Sequence, residues 1–264
     1  MRTRFDSPDW HEAIAALVRS GDARSTCDAL IKAIGIAVTH EGTCLLAFHR
    51  DAPPDVIHHT LEPAGAAHYL DRYLAGPYLL DPLYQLAMRV DKPSVCRFRD
   101  ETPDRFRSSE YYRRYYERTH LRDEMDFLLS VSDMSTLVLV VGRRKKMFTK
   151  TELDRIRSIE TIVHAAMRNI WERRVAVEDK TGRNESLHRR LTRCFENFGD
   201  SLLTAREREI TQLLLRGHSA KSIARVLRIA PGTVMVHKRN LFTKLGITSQ
   251  TGLFSLFIND LSRS

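Results

Sequence analysis

The last quarter of the chain constrains the fold most, because its helix starts and stops can be read residue by residue. Thr204-Ala205-Arg206-Glu207 is a capping box: the threonine hydroxyl takes the Glu207 amide, and the carboxylate returns to the Thr204 amide. The helix it opens carries Ile210, Leu213 and Leu214 on one side and stops at Gly217. A second short helix follows from Ser219, with Ile223, Ala224 and Leu227 apolar. After a turn through Arg228-Ile229-Ala230, Pro231 stands where a first-turn proline is tolerated. A third helix runs from Gly232 to Leu245 and ends at Gly246. The second and third helices lie about four residues apart and the third is dense in cations, which is the form of a helix-turn-helix; its second helix enters the major groove while the first anchors phosphates.

Charge points the same way. Of the net +9, residues 200–264 hold ten Lys/Arg against four Asp/Glu, and the remaining 199 residues hold 32 against 29. A basic module on a near-neutral body suggests nucleic acid as a partner. The chain has 264 residues, room for two domains of roughly 100–150 residues, and its 42% hydrophobic content excludes a wholly disordered chain. Apolar runs such as Leu137 to Val141 are far below the roughly 18 residues of a membrane span. Basic residues near Met1 have no apolar stretch behind them, so no signal peptide is expected. Cys27, Cys44, Cys96 and Cys194 show no C-x-x-C spacing, which fits a reducing cytoplasm better than a disulfide framework or a zinc site.

The body preceding this module reads as α+β, with an antiparallel sheet covered by helices. Helix is expected over 9–36, Ala64 to Leu74, Leu83 to Met88 and Ser108 to Thr119, and in one long run from Thr149, where Thr149 and Glu152 form a second capping box. Strands are expected at Thr43–Phe48, Val56–His59, Met125–Val131 and Leu137–Val141, the last two forming a hairpin, with a short extended piece at Val95–Arg99. The stretch 176–199 is polar and charged and reads as a linker between a body over 1–175 and the module over 200–264.

Leu203-Thr204-x-Arg206-Glu207-x-Glu209-Ile210, Gly217-x-Ser219-x-Lys221-x-Ile223-Ala224, Thr233-Val234-x-x-His237 and Lys244-Leu245-Gly246-Ile247 resemble the LuxR-type DNA-binding domain. The resemblance implies an all-α four-helix domain whose last helix, about Ser249 to Leu261, packs Leu253, Phe254, Phe257 and Leu261 on the module and across a dimer. It also implies base reading by Met235, Val236 and Arg239, and phosphate contacts by Thr233, His237, Lys221 and Lys244, joined by Lys238. Four positions depart from the family pattern: Thr211 for leucine, Ala230 for a capping serine, Met235 for lysine and Gln250 for arginine.

A body on such a module suggests an input domain. The β-α alternation of a phosphoacceptor receiver and the G-x-x-x-x-G-K-[ST] of an ATP-driven regulator are both missing. Tyr69-x-x-x-Tyr73 followed by Tyr78-Leu79-Leu80-Asp81-Pro82 resembles the signal-binding motif of the quorum-sensing LuxR members, which implies a ligand site at Tyr69, Tyr73, Tyr78 and Asp81. Both tryptophans, Trp10 and Trp171, lie outside this stretch, so the resemblance is to a LuxR "solo" regulator with a ligand other than an acyl-homoserine lactone. Asp81 serves equally as an N-cap for the helix beginning at Pro82. The tyrosines at 111, 112, 115 and 116 read as amphipathic packing, and the run Arg143-Arg144-Lys145-Lys146 as a solvated turn.

No H-E-x-x-H, G-x-S-x-G or G-x-G-x-x-G motif is present, so an enzyme is not expected, nor a cofactor. The expectation is a cytoplasmic, homodimeric regulator whose partners are operator DNA and a small-molecule signal, with RNA polymerase as a further partner that the resemblance allows. The alternative is a body that binds another protein and no ligand.

Overall fold

The expected hairpin lies at the centre of a five-stranded antiparallel sheet of order β2-β1-β5-β4-β3. This computed structural model describes residues 4–61, 63–178, 195 and 198–263. The strands are β1 (Gly42–His49), β2 (Asp55–His59), β3 (Ser94–Arg97), β4 (Asp123–Ser132) and β5 (Ser135–Arg143). Pairing of Ser132 with Ser135 leaves Asp133-Met134 as a two-residue loop. Phe127 lies opposite Leu139, and Leu139 opposite Leu45, so one face carries a continuous apolar row. Leu46, Phe48, Leu128 and Val138 on the opposite face are buried too. A sheet covered on both faces has no polar alternation, which is why Leu137–Val141 reads as an unbroken run.

Helices α1 (Pro8–Arg19), α2 (Ala23–Ala37), α7 (Lys150–Ser158) and α8 (Glu160–Glu178) cover the first face. Leu30 and Ile34 of α2, with Val163, Met167 and Ile170 of α8, join Phe127 and Leu139 in one core. Two expected single helices are each divided. Asp22 is extended and accepts the Ser25 amide at 2.9 Å, so a new capping box restarts the chain after Ser20-Gly21. At Ile159 the amide turns to Ile156 and separates α7 from α8, while Ile156 and Ile159 both stay in the core. The Thr149–Glu152 box forms as expected. The basic run is corrected at one residue. Arg143 is 1% exposed, paired with Glu152 at 2.9 Å and stacked over Phe148, whereas residues 144–146 are exposed.

These elements belong to a unit made of Met1–Gly65, Leu86–Asp100 and Leu121–Asn184; a second unit comprises Ala66–Gln85, Glu101–His120 and Glu185–Ser264. α3 (Pro63–Leu74) supplies most of its residues to the second unit, followed by a 3-10 turn at Pro77–Leu80 and α4 (Pro82–Ala87). β3 runs directly into one helical turn, α5 (Phe98–Glu101), where an extended piece was expected. The tyrosine-rich helix is shorter than expected. α6 spans Glu110–Arg114, because Tyr115 leaves helical geometry (φ −124°, ψ −65°) and a 3-10 turn follows over Tyr116–Thr119. The C-terminal helices are α9 (Ala205–Leu215), α10 (Ala220–Leu227), α11 (Pro231–Lys244) and α12 (Gln250–Arg263). Most of the expected linker lies outside the described residues.

Candidate nucleic-acid interface and ligand site

The second unit builds its helix-turn-helix around Ile210, Leu214, Ile223, Val234, Leu241, Leu253 and Phe257, all buried. Thr204 and Glu207 form the expected reciprocal cap of α9. The same carboxylate takes the Lys244 ammonium at 2.7 Å, and this pairing holds the Glu207 carboxyl below its ordinary range. Lys244, expected on a phosphate, is thus part of the clamp between α9 and the end of α11. Gly217 follows α9 at φ +91°, and the amides of Gly217 and His218 return to Leu214 and Leu213. That is a Schellman stop, which glycine accepts without Cβ strain. Gly246 (φ +64°) repeats it after α11.

The departures from the family pattern each have a local consequence. The Thr211 hydroxyl donates to the Glu207 carbonyl at 2.8 Å, which satisfies a polar group inside the core. Gln250 donates to the Leu214 carbonyl at 2.7 Å and so caps the end of α9. Ala230 makes no side-chain cap, leaving the start of α11 to Pro231. Met235 is left exposed.

On α11, Val234 and Leu241 point inward two turns apart, which directs Met235, Val236 and Arg239 outward. Thr233 at the first turn and Lys221 on α10 are exposed as well. His237 and Lys238 lie on the flanks, half-buried, and the Lys238 ammonium sits 5.3 Å from the Phe242 ring centroid. The structure therefore separates the three expected base readers from the two flanking residues. Phe254 and Phe257 are buried, and Phe257 meets Phe195 and Phe198 edge-on, so the apolar face of α12 is occupied within its own unit. The Leu261 side chain lies outside the described residues.

The candidate ligand site lies in the same unit. Asp81 is buried, and the Tyr73 hydroxyl donates to its Oδ2 at 2.8 Å while the Leu83 amide donates to Oδ1 at 2.9 Å. The aspartate is thus a cap for α4 and a tyrosine partner at once. Burial pushes its carboxyl up to about 6, against the Leu83 and Tyr73 bonds and the nearby Tyr111 hydroxyl. Tyr69 stacks on Tyr73 with centroids 6.1 Å apart, and Tyr73 meets Tyr78 edge-on at 6.2 Å. Burial raises the Tyr78 phenol, keeping it neutral. One residue was missed in the sequence. Tyr111 is 1% exposed, its hydroxyl lies close enough to Asp81 to feel that charge, and it makes no hydrogen bond of normal geometry. Only its place in a tyrosine stripe marked it, and that stripe reads equally as packing. A small cleft lined by Cys27, Leu30, Thr43 and His58 belongs to the first unit.

Among the described residues, no helix is long and apolar enough to cross a membrane, and no His/Cys/Asp/Glu group is arranged to hold a metal. Residues 201–257 match the family described as bacterial regulatory proteins, luxR family. A putative HTH-type transcriptional regulator in the exeN 3′ region of Aeromonas salmonicida is 34% identical over 157 residues, covering 58% of this chain and 80% of that protein. The monoamine regulon transcriptional regulator of Klebsiella aerogenes is 25% identical over 209 residues, 78% of each. In fold, the sheet-bearing body resembles the VqsR LBD domain of Pseudomonas aeruginosa, with a TM-score of 0.56 and 22% identity over 63% of this chain and 98% of that one. These relatives are transcriptional regulators, in accord with the lack of catalytic motifs in the sequence. With its DNA-binding helices built as the sequence implied, and with such relatives, the chain belongs to the luxR family of bacterial regulatory proteins.

Proposed function

We propose that a small-molecule signal binds at Asp81 and controls the binding of a homodimer to a two-fold operator, in the cytoplasm. Residues 1–175 act as the sensor, 200–264 read DNA, and 176–199 connect them. The observation that carries the ligand reading is a buried carboxylate among four tyrosines, Tyr69, Tyr73, Tyr78 and Tyr111. A carboxylate offers about four acceptor positions, and Asp81 uses one for Tyr73 and one for Leu83. A ligand amine or amide supplies a further donor, and aromatic walls favour a cationic amine. The Klebsiella relative named for a monoamine regulon agrees with that class. Tyr111 then offers its hydroxyl to an acceptor on the same ligand.

Met235, Val236 and Arg239 read base edges, with Arg239 bidentate on guanine, while Lys221, Thr233, His237, Lys238 and Lys244 attend the phosphates. A screen of amines and amides by thermal shift on the full chain tests the ligand reading. A ligand at 100 times its Kd adds about 2.7 kcal/mol and raises Tm by several degrees. The expected result is a compound that raises Tm of the wild type and not of Asp81→Asn. A protein that retains no small molecule by mass spectrometry, and responds to none in the screen, is a protein-interaction module instead.

A further inference from the structure

The outward face of α11 carries an apolar spot. Gly232, Met235, Val236 and Arg239 stand at i, i+3, i+4 and i+7, so they share one face, opposite the buried Val234 and Leu241. Met235 is 55% exposed and Val236 48% exposed. The core makes no use of the methionine, and the family pattern has a lysine in its place. Side chains on a helix lean toward its N-terminus, so Met235 reaches over the turn that holds Gly232. A Cβ added to Gly232 would meet no atom within 4 Å, and its backbone has no positive φ. The chain itself therefore leaves the place in front of Met235 open. Cations surround it, with Arg239 one turn further along the same face and Lys238 on the flank.

A partner for this spot must be apolar at one point and anionic around it. The major groove of DNA has that pattern, since phosphates line its edges and the apolar group that its base edges present is the 5-methyl of thymine. 5-Methylcytosine carries the same group on the same edge. The second helix of a helix-turn-helix brings its N-terminal residues to the base edges, and Met235 is the fifth residue of α11. A thioether on three rotatable bonds follows a methyl group closely and needs no hydrogen-bond donor in return. A lysine at this place offers an ammonium to the O6 and N7 acceptors of guanine, whereas methionine leaves them unmet.

We infer that Met235 selects a thymine in each operator half-site by seating its thioether on the 5-methyl group. This rests on the proposal that α11 enters the major groove. The group read is the methyl itself, so a 5-methylcytosine·guanine pair satisfies Met235 where an unmethylated cytosine·guanine pair does not.

Selection from a pool of random-sequence 30-base-pair duplexes with the full chain supplies the preferred duplex. Fluorescence anisotropy then compares it with copies in which each thymine in turn is replaced by deoxyuridine, a change that removes only the methyl. Loss of one buried methyl corresponds to about fourfold in affinity, expected at one thymine per half-site in the wild type and absent there in Met235→Ala. Cytosine and then 5-methylcytosine at the same place form the second arm. Methylation is expected to tighten binding by the same factor in the wild type and to change nothing in Met235→Ala. Tighter binding of the thymine duplex than of the 5-methylcytosine duplex names thymine as the target, and the reverse order names methylated cytosine. Met235→Lys should lose the methyl effect and prefer guanine at that place. Melting curves of both variants should match the wild type, because the position is exposed. Uridine substitutions that leave wild-type affinity unchanged at every position overturn the proposal. A methyl effect that persists in Met235→Ala, or is lost only in Val236→Ala, overturns it as well while leaving the DNA reading intact. A pool from which no sequence is enriched, with no duplex bound by wild type or variants, overturns the DNA reading and the role of Met235 with it.

Discussion

Burial raises the Asp81 carboxyl to about 6, whereas the same side chain in an unfolded chain ionises near 3.8. Between those values the folded protein holds more protons than the unfolded one, so stability falls as pH rises from about 4 to about 6 and stays lower above that. Asp81→Asn keeps the cap and removes the charge. It should therefore be more stable than wild type by about 1–2 kcal/mol at pH 8, an advantage that vanishes near pH 4 in denaturant titrations. Arg143 shows the opposite economy. Its guanidinium takes the Glu152 carboxylate and the Thr39 carbonyl from a position 1% exposed. Arg143→Met leaves both without their partner and should cost about 3 kcal/mol in the same titration. The sequence announced Asp81 by its motif, but it showed Arg143 only as one of four cations in a row. Burial there follows from partners at Thr39 and on α7, which a local charge pattern does not reveal.

At the same scale, the two cations assigned to DNA separate by what holds them. Arg239 points outward from α11, and Arg239→Ala should cost roughly 1–3 kcal/mol on the preferred sequence and relax preference at one base position. Lys244→Ala should weaken all duplexes alike and lower Tm as well, because it leaves the buried Glu207 carboxylate without its ammonium. Loss of affinity by Arg239→Ala that is equal on selected and random duplexes removes Arg239 from the base-reading set.

Elements were legible where their ends carry caps. Thr149, Thr204, Gly217 and Gly246 fixed boundaries because each satisfies orphan backbone groups within a few residues. The breaks at Ile159 and Tyr115 carry no such residue; tertiary packing sets them, and they appear only in the fold. Spacing on α12 predicted an apolar face that packs on the module, and that part of the expectation is met. Leu253, Phe254 and Phe257 all point into the unit's own core. Leu253→Glu should consequently unfold the C-terminal helices, costing more than about 3 kcal/mol, and lower Tm before it alters molecular mass in sedimentation. A folded variant with halved mass would return that face to a dimer contact. On the long helical run, Ile156, Ile159, Val163, Met167 and Ile170 lie in the sheet's core.

For the whole molecule, the family and the helix-turn-helix were legible because their motifs are local and ordered along the chain. The pairing of Asp104 with Ser219 was not. It joins residues 115 positions apart through a backbone approach that a single glycine permits. In the function proposed above, the excess of positive charge in the last quarter draws the chain to DNA, and Asp81 is the group through which a donor-bearing signal would control that attraction. The most direct measurement is the affinity of the full chain for its selected duplex, with and without the compound that raises Tm, in wild type and Asp81→Asn. The account predicts a change of about tenfold or more in the wild type, on the order of 1.4 kcal/mol of coupling, and almost none in the folded variant. The same change in both proteins would contradict it.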